Sequence, residues 1–325
     1  MRGDLLDVKN LKVVFHTYRG IIKALNGVNV WMNHGERLGI IGETGCGKSV
    51  TSLAIMKLIE EPGEITGGEI LFEGRSLLKM SETEMHDLRG RKMSMIFQEP
   101  KSALNPVMKV GFQLAESIAI AKDISLKEAR EEVDEVLEMV GLDSKRTKTL
   151  YPHELSGGMA QRVMIAMALA VHPKLLIADE PTSALDVTIQ AQIMKLLDDL
   201  VAELGNAVIL ITHDMGVAAE FCDKIAVMYA GNVVEYGEVF KIFDDPLHPY
   251  TRGLLKAVPR VGRSDELVGI PGTVPDLVHP PAGCRFHPRC PESKKICEES
   301  SPPLIEVEAG HFVACHLYSV EKVRL

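Results

Sequence analysis

No apolar run in this sequence approaches the eighteen or more residues needed to cross a bilayer. Its longest apolar stretches, such as Val163–Val171 and Ala207–Ile211, have the length of buried core elements. The opening residues, Met1-Arg2-Gly3-Asp4-Leu5, carry no hydrophobic signal region. A soluble, cytoplasmic chain is therefore expected. Positive charge is also short: Lys and Arg number 36 against 45 Asp and Glu, a net charge of −9. That balance argues against an electrostatic nucleic-acid binder. Six cysteines in 325 residues are too few for a disulfide scaffold. No internal repeat and no low-complexity tract occurs. What remains, 46% apolar and 25% charged residues, is the composition of an ordinary globular protein with a sizeable core.

Residues 1–245 alternate short apolar runs with helix-period segments, the pattern of an α/β protein with a largely parallel sheet. Leu38–Ile41, Met93–Phe97, Leu175–Ala178 and Val208–Thr212 read as buried strands, each ending in polar residues. Ile225–Tyr229, Gly231-Asn232 and Val233–Glu235 read as a hairpin. Leu126, Ala129, Val133, Val136, Leu137 and Val140 recur at helical spacing and stop at Gly141, inside a mainly helical insert of about residues 101–160. Ile189, Ile193, Leu196, Leu197, Leu200 and Leu204 mark a second amphipathic helix. Beyond about residue 245 proline becomes frequent and periodicity fades. Residues 246–325 are expected to form a loop-rich C-terminal extension.

The chemistry begins at Gly42-Glu43-Thr44-Gly45-Cys46-Gly47-Lys48-Ser49, which fits G-x-x-x-x-G-K-[ST] between a strand and a helix. Glycines let backbone N–H groups curl round phosphate oxygens, Lys48 reaches the β- and γ-phosphates, and the Ser49 hydroxyl can ligate Mg²⁺. Val50 follows as the loop enters its helix. A nucleotide site of this kind also needs a carboxylate at the end of a strand, and Leu175–Ala178 runs into Asp179-Glu180. Asp179 is the metal-side acid, and Glu180 is placed to polarise an attacking water. Leu155-Ser156-Gly157-Gly158-Met159-Ala160-Gln161-Arg162 then supplies a second anion-binding helix N-terminus.

That last stretch resembles the signature sequence of ABC ATPases, and the other elements of that family follow in order. The resemblance implies a P-loop NTPase (RecA-like) core with a helical subdomain and an antiparallel β subdomain. It implies that Ser156, Gly157 and Gly158 contact the γ-phosphate of ATP held by a partner's P-loop. Gln98 resembles the Q-loop glutamine, a further Mg²⁺ contact with Ser49 and Asp179. Ser183-Ala184-Leu185-Asp186 resembles the D-loop, and His213 the switch histidine. Tyr18 resembles the aromatic that stacks on adenine; Phe15 competes but reads as core. Glu180, His213 and Gln98 are the implied catalytic set. The implied partners are a paralogous ATPase or a second copy, two membrane permeases and an extracytoplasmic solute-binding protein, with the chain peripheral on the cytoplasmic face of the membrane.

A narrower resemblance, to oligopeptide and dipeptide importer ATPases, rests on three stretches. These are Phe97-Gln98-Glu99-Pro100 with Ser102-Ala103-Leu104-Asn105-Pro106; His248-Pro249-Tyr250-Thr251; and Ile270-Pro271-Gly272-Thr273-Val274-Pro275 with Pro280–Cys290. Relatives of that subfamily move nickel or oligosaccharides. Cys284, Cys290, Cys297 and Cys315 crowd into the extension. By residue type they could hold a [4Fe–4S] cluster, Zn²⁺, disulfides or nothing; no tight C-x₂₋₄-C pair favours zinc, and Arg285 and Arg289 would offset an anionic cluster. The subfamily resemblance adds weight to iron–sulfur. Cys46 and Cys222 read as packing residues. An ABC ATPase acting on nucleic acid is the rival; it calls for a long coiled coil or two ATPase units, and neither is present.

Overall fold

The computed structural model describes residues 2–183, 185–257 and 269–318. They form two compact units, one from residues 1–79 and 212–325 and one from residues 80–211. The change in composition near residue 245 falls inside the first unit.

In the first unit, β1 (Leu6–Thr17) and β2 (Gly20–Met32) form an antiparallel hairpin that turns at Tyr18-Arg19. β4 (Gly63–Phe72) pairs antiparallel with the other edge of β1, and β5 (Arg75–Ser76) follows β4, giving the order β2-β1-β4-β5. Leu6, Val8, Leu11 and Val13 of β1 are buried while Lys12 and His16 are exposed, the period of a half-buried strand. Register shifts between Val8 and Leu11 break that period.

A second sheet of this unit runs from β3 (Arg37–Ile41) into the C-terminal elements. β3 pairs parallel with β9 (Lys224–Tyr229), which pairs antiparallel with β10 (Asn232–Glu238). The extension then adds two strands. β12 (His311–Val313) lies antiparallel to β10, with β11 (Ile305–Glu308) outside it. The helices of this unit are α1 (Lys48–Ile55), α9 (Met215–Phe221), α10 (Val239–Asp244), α11 (Pro249–Ala257) and α12 (Lys295–Glu299).

Aromatic packing fixes the extension in place. Trp31 meets Tyr236 at 4.2 Å and Phe312 edge-on at 4.9 Å. Phe286, 2% exposed, packs against Tyr229 at 5.0 Å and Tyr250 at 5.4 Å. Truncating a buried Phe of this kind costs about 3–5 kcal/mol. Polar contacts add to it: Glu235, fully buried on β10, accepts the N–H groups of Leu247 and His248 and lies 2.8 Å from His311 Nε2.

The second unit holds α2 (Glu82–Leu88), β6 (Met93–Ile96), α3 (Pro100–Ala103), α4 (Val110–Lys122), α5 (Leu126–Met139), α6 (Ser144–Thr147), α7 (Gly157–Leu169), β7 (Leu175–Asp179), α8 (Val187–Leu204) and β8 (Ala207–Thr212). β7 pairs in parallel with β6 on one side and β8 on the other. All residues of β7 and β8 are buried, which is why they run apolar without alternation. α5 starts where Ser125 and Glu128 make a reciprocal capping box. Val133, Val136 and Leu137 face inward as their spacing predicts.

Candidate active site

β3 ends at Ile41, and the loop of residues 42–47 follows it into α1. Gly42 has φ of +154°, and a Cβ there would lie 2.2 Å from the Met228 carbonyl oxygen, so no other residue fits. Gly47 precedes α1 and supplies no side-chain cap to the helix N-terminus, the end of a helix that favours an anion. Lys48 is 5% exposed, and its Nζ donates to the loop's own carbonyls, Gly42 O at 2.9 Å and Glu43 O at 3.3 Å. The ammonium therefore lies over the loop, where a phosphate would replace those carbonyls as acceptor. Thr44 and Gly45 are exposed at the loop's tip, and Ser49 and Val50 are half-buried on the first turn of α1. Cys46 is 1% exposed, and burial raises its thiol to about 11, so it stays protonated and acts as packing. Tyr18 stands at the β1–β2 turn, 99% exposed, with its ring open to a stacking partner. Phe15 is only half-buried rather than core. His213 is exposed and directly precedes Asp214, whose side chain caps α9.

The second unit carries the acidic and signature elements. Asp179, 6% exposed, closes β7. Glu180 follows at φ +45°, an uncommon conformation for a non-glycine residue, held by its N–H to Ile211 O at 2.9 Å. Gln98 follows β6 and donates from Nε2 to Glu180 Oε2 at 3.3 Å. Gln98 and Glu180, 82 residues apart in the sequence, thus meet directly. Ser156 caps α7, accepting from the Met159 N–H at 3.2 Å. A Cβ on Gly158 would come within 3.0 Å of Ile189 Cγ2, so a small residue is needed where α7 and α8 approach. Asp186 caps α8 through the Ile189 N–H at 3.0 Å. Ser156, Gly157 and Asp186 are all exposed. Ala184 of the D-loop stretch lies outside the described residues. A cavity of about 320 Å³ opens between Gln98–Ser102, Gly157, Gln161 and Pro181. Gln161, which the signature stretch includes without a role, has its Nε2 buried there without a hydrogen-bond partner.

A larger cavity of about 540 Å³ in the first unit is lined by Asn10, Asn29, Trp31, Arg285 and others but by no residue of the nucleotide motifs. Size alone would have pointed away from the chemistry. The two arginines expected to offset an anionic cluster are engaged elsewhere: Arg285 donates to the Lys23 and Ala230 carbonyls, and the Arg289 guanidinium grips Glu43 of the glycine-rich loop from 246 residues away. No local pattern signals such a contact.

The four extension cysteines lie close enough together for an ionised thiol at one to raise the pKa of its neighbours. The Cys284 N–H donates to Cys297 O at 2.8 Å. Burial pushes the thiols of Cys284 and Cys290 up and that of Cys315 to about 11. Yet among the described residues no three His, Cys, Asp or Glu side chains form a set able to hold a metal ion. The expected iron–sulfur or zinc ligation thus has no formed ligand set: the thiols are desolvated and neighbouring, and not drawn onto a common centre.

A helix N-terminus without a side-chain cap behind a glycine-rich loop, on an α/β core, defines a P-loop nucleotide-binding cassette. Comparison with known proteins narrows the class. The "ABC transporter" family matches residues 25–183, and the "Oligopeptide/dipeptide transporter, C-terminal region" family matches residues 234–297. The oligopeptide transport ATP-binding protein OppD of Bacillus subtilis is 52% identical over 313 residues, covering 95% of this chain and 87% of the relative. OppD of Escherichia coli is 50% identical over 96% of this chain and 92% of its own length, and the dipeptide transport ATP-binding protein DppD of Lactococcus lactis 49% identical over 95% and 89%. Among solved structures, the dimeric post-hydrolysis state of an ATP-binding cassette bound to ADP and Pi matches with a TM-score of 0.65 at 31% identity, over 72% of this chain and 99% of that one. The chain belongs to the ABC transporter family of ATP-binding proteins.

Proposed function

We propose that this chain is the ATP-hydrolysing subunit of an importer of di- and oligopeptides, or of related solutes such as nickel or oligosaccharides. The observation that carries the reading is likeness over nearly the whole chain, extension included, to the oligopeptide and dipeptide ATP-binding proteins. It would pair with a paralogue or a second copy beneath two membrane permeases served by a solute-binding protein. No described helix is long and apolar enough to cross a membrane, which agrees with a peripheral subunit at the cytoplasmic face.

Residues 42–50 would hold the triphosphate, with Tyr18 against adenine. The N-terminus of α1, which no side chain caps, and the inward-folded Lys48 fit a polyanion. Ser49, Gln98 and Asp179 would hold Mg²⁺, which supplies charge neutralisation on the phosphates when bound. Glu180, restrained by its backbone and by Gln98, would orient the attacking water, and His213 would contact the γ-phosphate. Ser156, Gly157, Gly158 and Asp186 would contact nucleotide on the partner. The exposure of Ser156, Gly157 and Asp186, beside a Val187 that is 83% exposed, supports a face that is covered in the assembly.

A [4Fe–4S] cluster on Cys284, Cys290, Cys297 and Cys315 belongs to the proposal on the ground of their mutual proximity alone. It would tie the proline-rich extension together rather than serve redox chemistry. Anaerobically purified protein would then be brown, with absorption near about 400 nm that Cys290→Ser removes; about one zinc per chain in colourless protein would replace iron, and metal-free protein that resists reconstitution would remove the cluster. The function itself is tested by copurifying the chain with its membrane partners and measuring uptake of labelled peptides into vesicles. ATP-dependent uptake lost in Lys48→Ala supports it, and a chain that never associates with permeases contradicts it.

A further inference from the structure

We propose that Arg289, in the C-terminal extension, is a positioning residue for ATP binding: it fixes the glycine-rich loop and neutralises Glu43, the one carboxylate that the loop carries. The inference rests on the reading of residues 42–50 as the ATP loop, and it makes nucleotide affinity depend on a segment far outside the cassette motifs.

The contact is bidentate. Arg289 Nη1 donates to Glu43 Oε2 at 2.7 Å and Nη2 to Glu43 Oε1 at 3.1 Å. The guanidinium is otherwise committed to its own segment, with Nε on Pro271 O at 2.9 Å and Nη2 on Ile270 O at 3.2 Å. Nη1 also reaches the Tyr229 hydroxyl at 3.4 Å. The side chain is 5% exposed against 29% for Glu43, so the pair is shielded on the arginine side. The same segment of the fold holds the loop's backbone too. The Glu43 N–H donates to the Tyr250 hydroxyl at 3.0 Å, and Tyr250 is fully buried against Phe286. Glu43 is thus gripped at main chain and side chain by residues beyond position 245.

The electrostatic consequence is direct. A carboxylate in the loop that must accept a triphosphate is a like charge at short range, and its repulsion weakens binding. A bidentate guanidinium cancels that charge and fixes the carboxylate's direction. Lys could supply the charge but not the fork.

Binding of a fluorescent ATP analogue to the purified full-length chain tests this in four proteins besides the wild type. Arg289→Ala should weaken binding about tenfold, the effect of a unit charge roughly 10 Å from another at an effective dielectric near 20. Arg289→Lys should fall in between. The double variant Arg289→Ala with Glu43→Gln should return to within about threefold of wild type, because the repelling charge is gone. It lacks the same bonds to Pro271 and Ile270 as the single variant, so rescue cannot come from repaired folding. The deficit of Arg289→Ala should also shrink as salt rises from about 0.05 M to about 0.5 M, where exposed charges are screened. Wild-type affinity in Arg289→Ala, or a double variant as weak as the single, overturns the proposal. Lys48→Ala is the separate control: if it binds as well as wild type, the ATP-loop reading itself fails and the proposal falls with it.

Discussion

Replacing Glu235 with Gln exchanges one buried oxygen for an NH₂ group at the point where the extension joins β10. The carboxylate serves three donors. Oε1 accepts from the Leu247 N–H at 2.7 Å and faces His311 Nε2 at 2.8 Å, while Oε2 accepts from the His248 N–H at 2.9 Å. Glu235 is 0% and His311 1% exposed, so water cannot substitute for a lost partner. A glutamine can place its single oxygen at the Oε1 position and keep two of the three contacts. Its NH₂ then opposes the His248 N–H, and a buried donor left unsatisfied costs about 1–3 kcal/mol. The reverse orientation strands the Leu247 N–H and is worse. Glu235→Ala abandons all three, at about 3 kcal/mol or more. For a body of roughly 200 residues each kcal/mol lowers Tm by about 2–4 °C, so Glu235→Gln should melt about 2–12 °C early and the Ala variant further still. Hydrogen exchange should accelerate first at residues 247–257 and 311–313. A Glu235→Gln protein with unchanged Tm and unchanged exchange at both segments would refute the reasoning that this carboxylate holds the extension to the sheet.

Two further outcomes are expected. Ser156→Arg places bulk and charge at an exposed helix N-terminus proposed to meet a phosphate on a partner; it should abolish ATP turnover and leave the chain's own nucleotide affinity intact, read by paired ATPase and binding assays. His248 is buried neutral and held down from 6.5 to about 3 by desolvation; its contribution to stability is therefore full above about pH 6.5 and lost progressively as pH falls toward 3. Urea midpoints should drop across that window, and His248→Asn, which can still accept from the Tyr250 N–H, should flatten the drop.

The elements legible in the sequence are those whose burial is uniform. β3, β7 and β8 run apolar because both faces are covered, and their observed limits differ from the expected ones by one residue at an end. β6 stops at Ile96, one residue short, because Phe97 turns outward and is 40% exposed. α5 was legible from its apolar stripe, while the capping box of Ser125 and Glu128 that starts it came to light only in the structure. The antiparallel sheet of β1, β2 and β4 came from the family resemblance rather than from periodicity, since the bulges after Val8 and Lys9 interrupt the alternation. β11 and β12 were hidden in the proline-rich segment: they are four and three residues long and take their stability from β10. At the candidate site, the structure has Lys48 and Ser49 at the start of α1, Ser156 at the start of α7 and Glu180 just after β7, the strand ends and helix starts at which linear motifs put them. Arg289 was read beside the cysteines and Gln161 only as part of the signature stretch, because the surroundings of each are set across the chain and leave no local pattern. The cysteines were legible as a cluster but not as ligands, because spacing cannot specify how thiols converge.

The most direct test of the account is ATP turnover by the purified complex carrying Glu180→Gln. Glu180 is held at φ +45° with Gln98 on its carboxylate, and removing its charge leaves the phosphate-binding loop untouched. The account predicts wild-type ATP binding, turnover lower by several orders of magnitude, and a nucleotide-bound dimer that persists. Turnover near that of the wild type, with ATP bound and the complex intact, would contradict the claim that this chain hydrolyses ATP through Glu180.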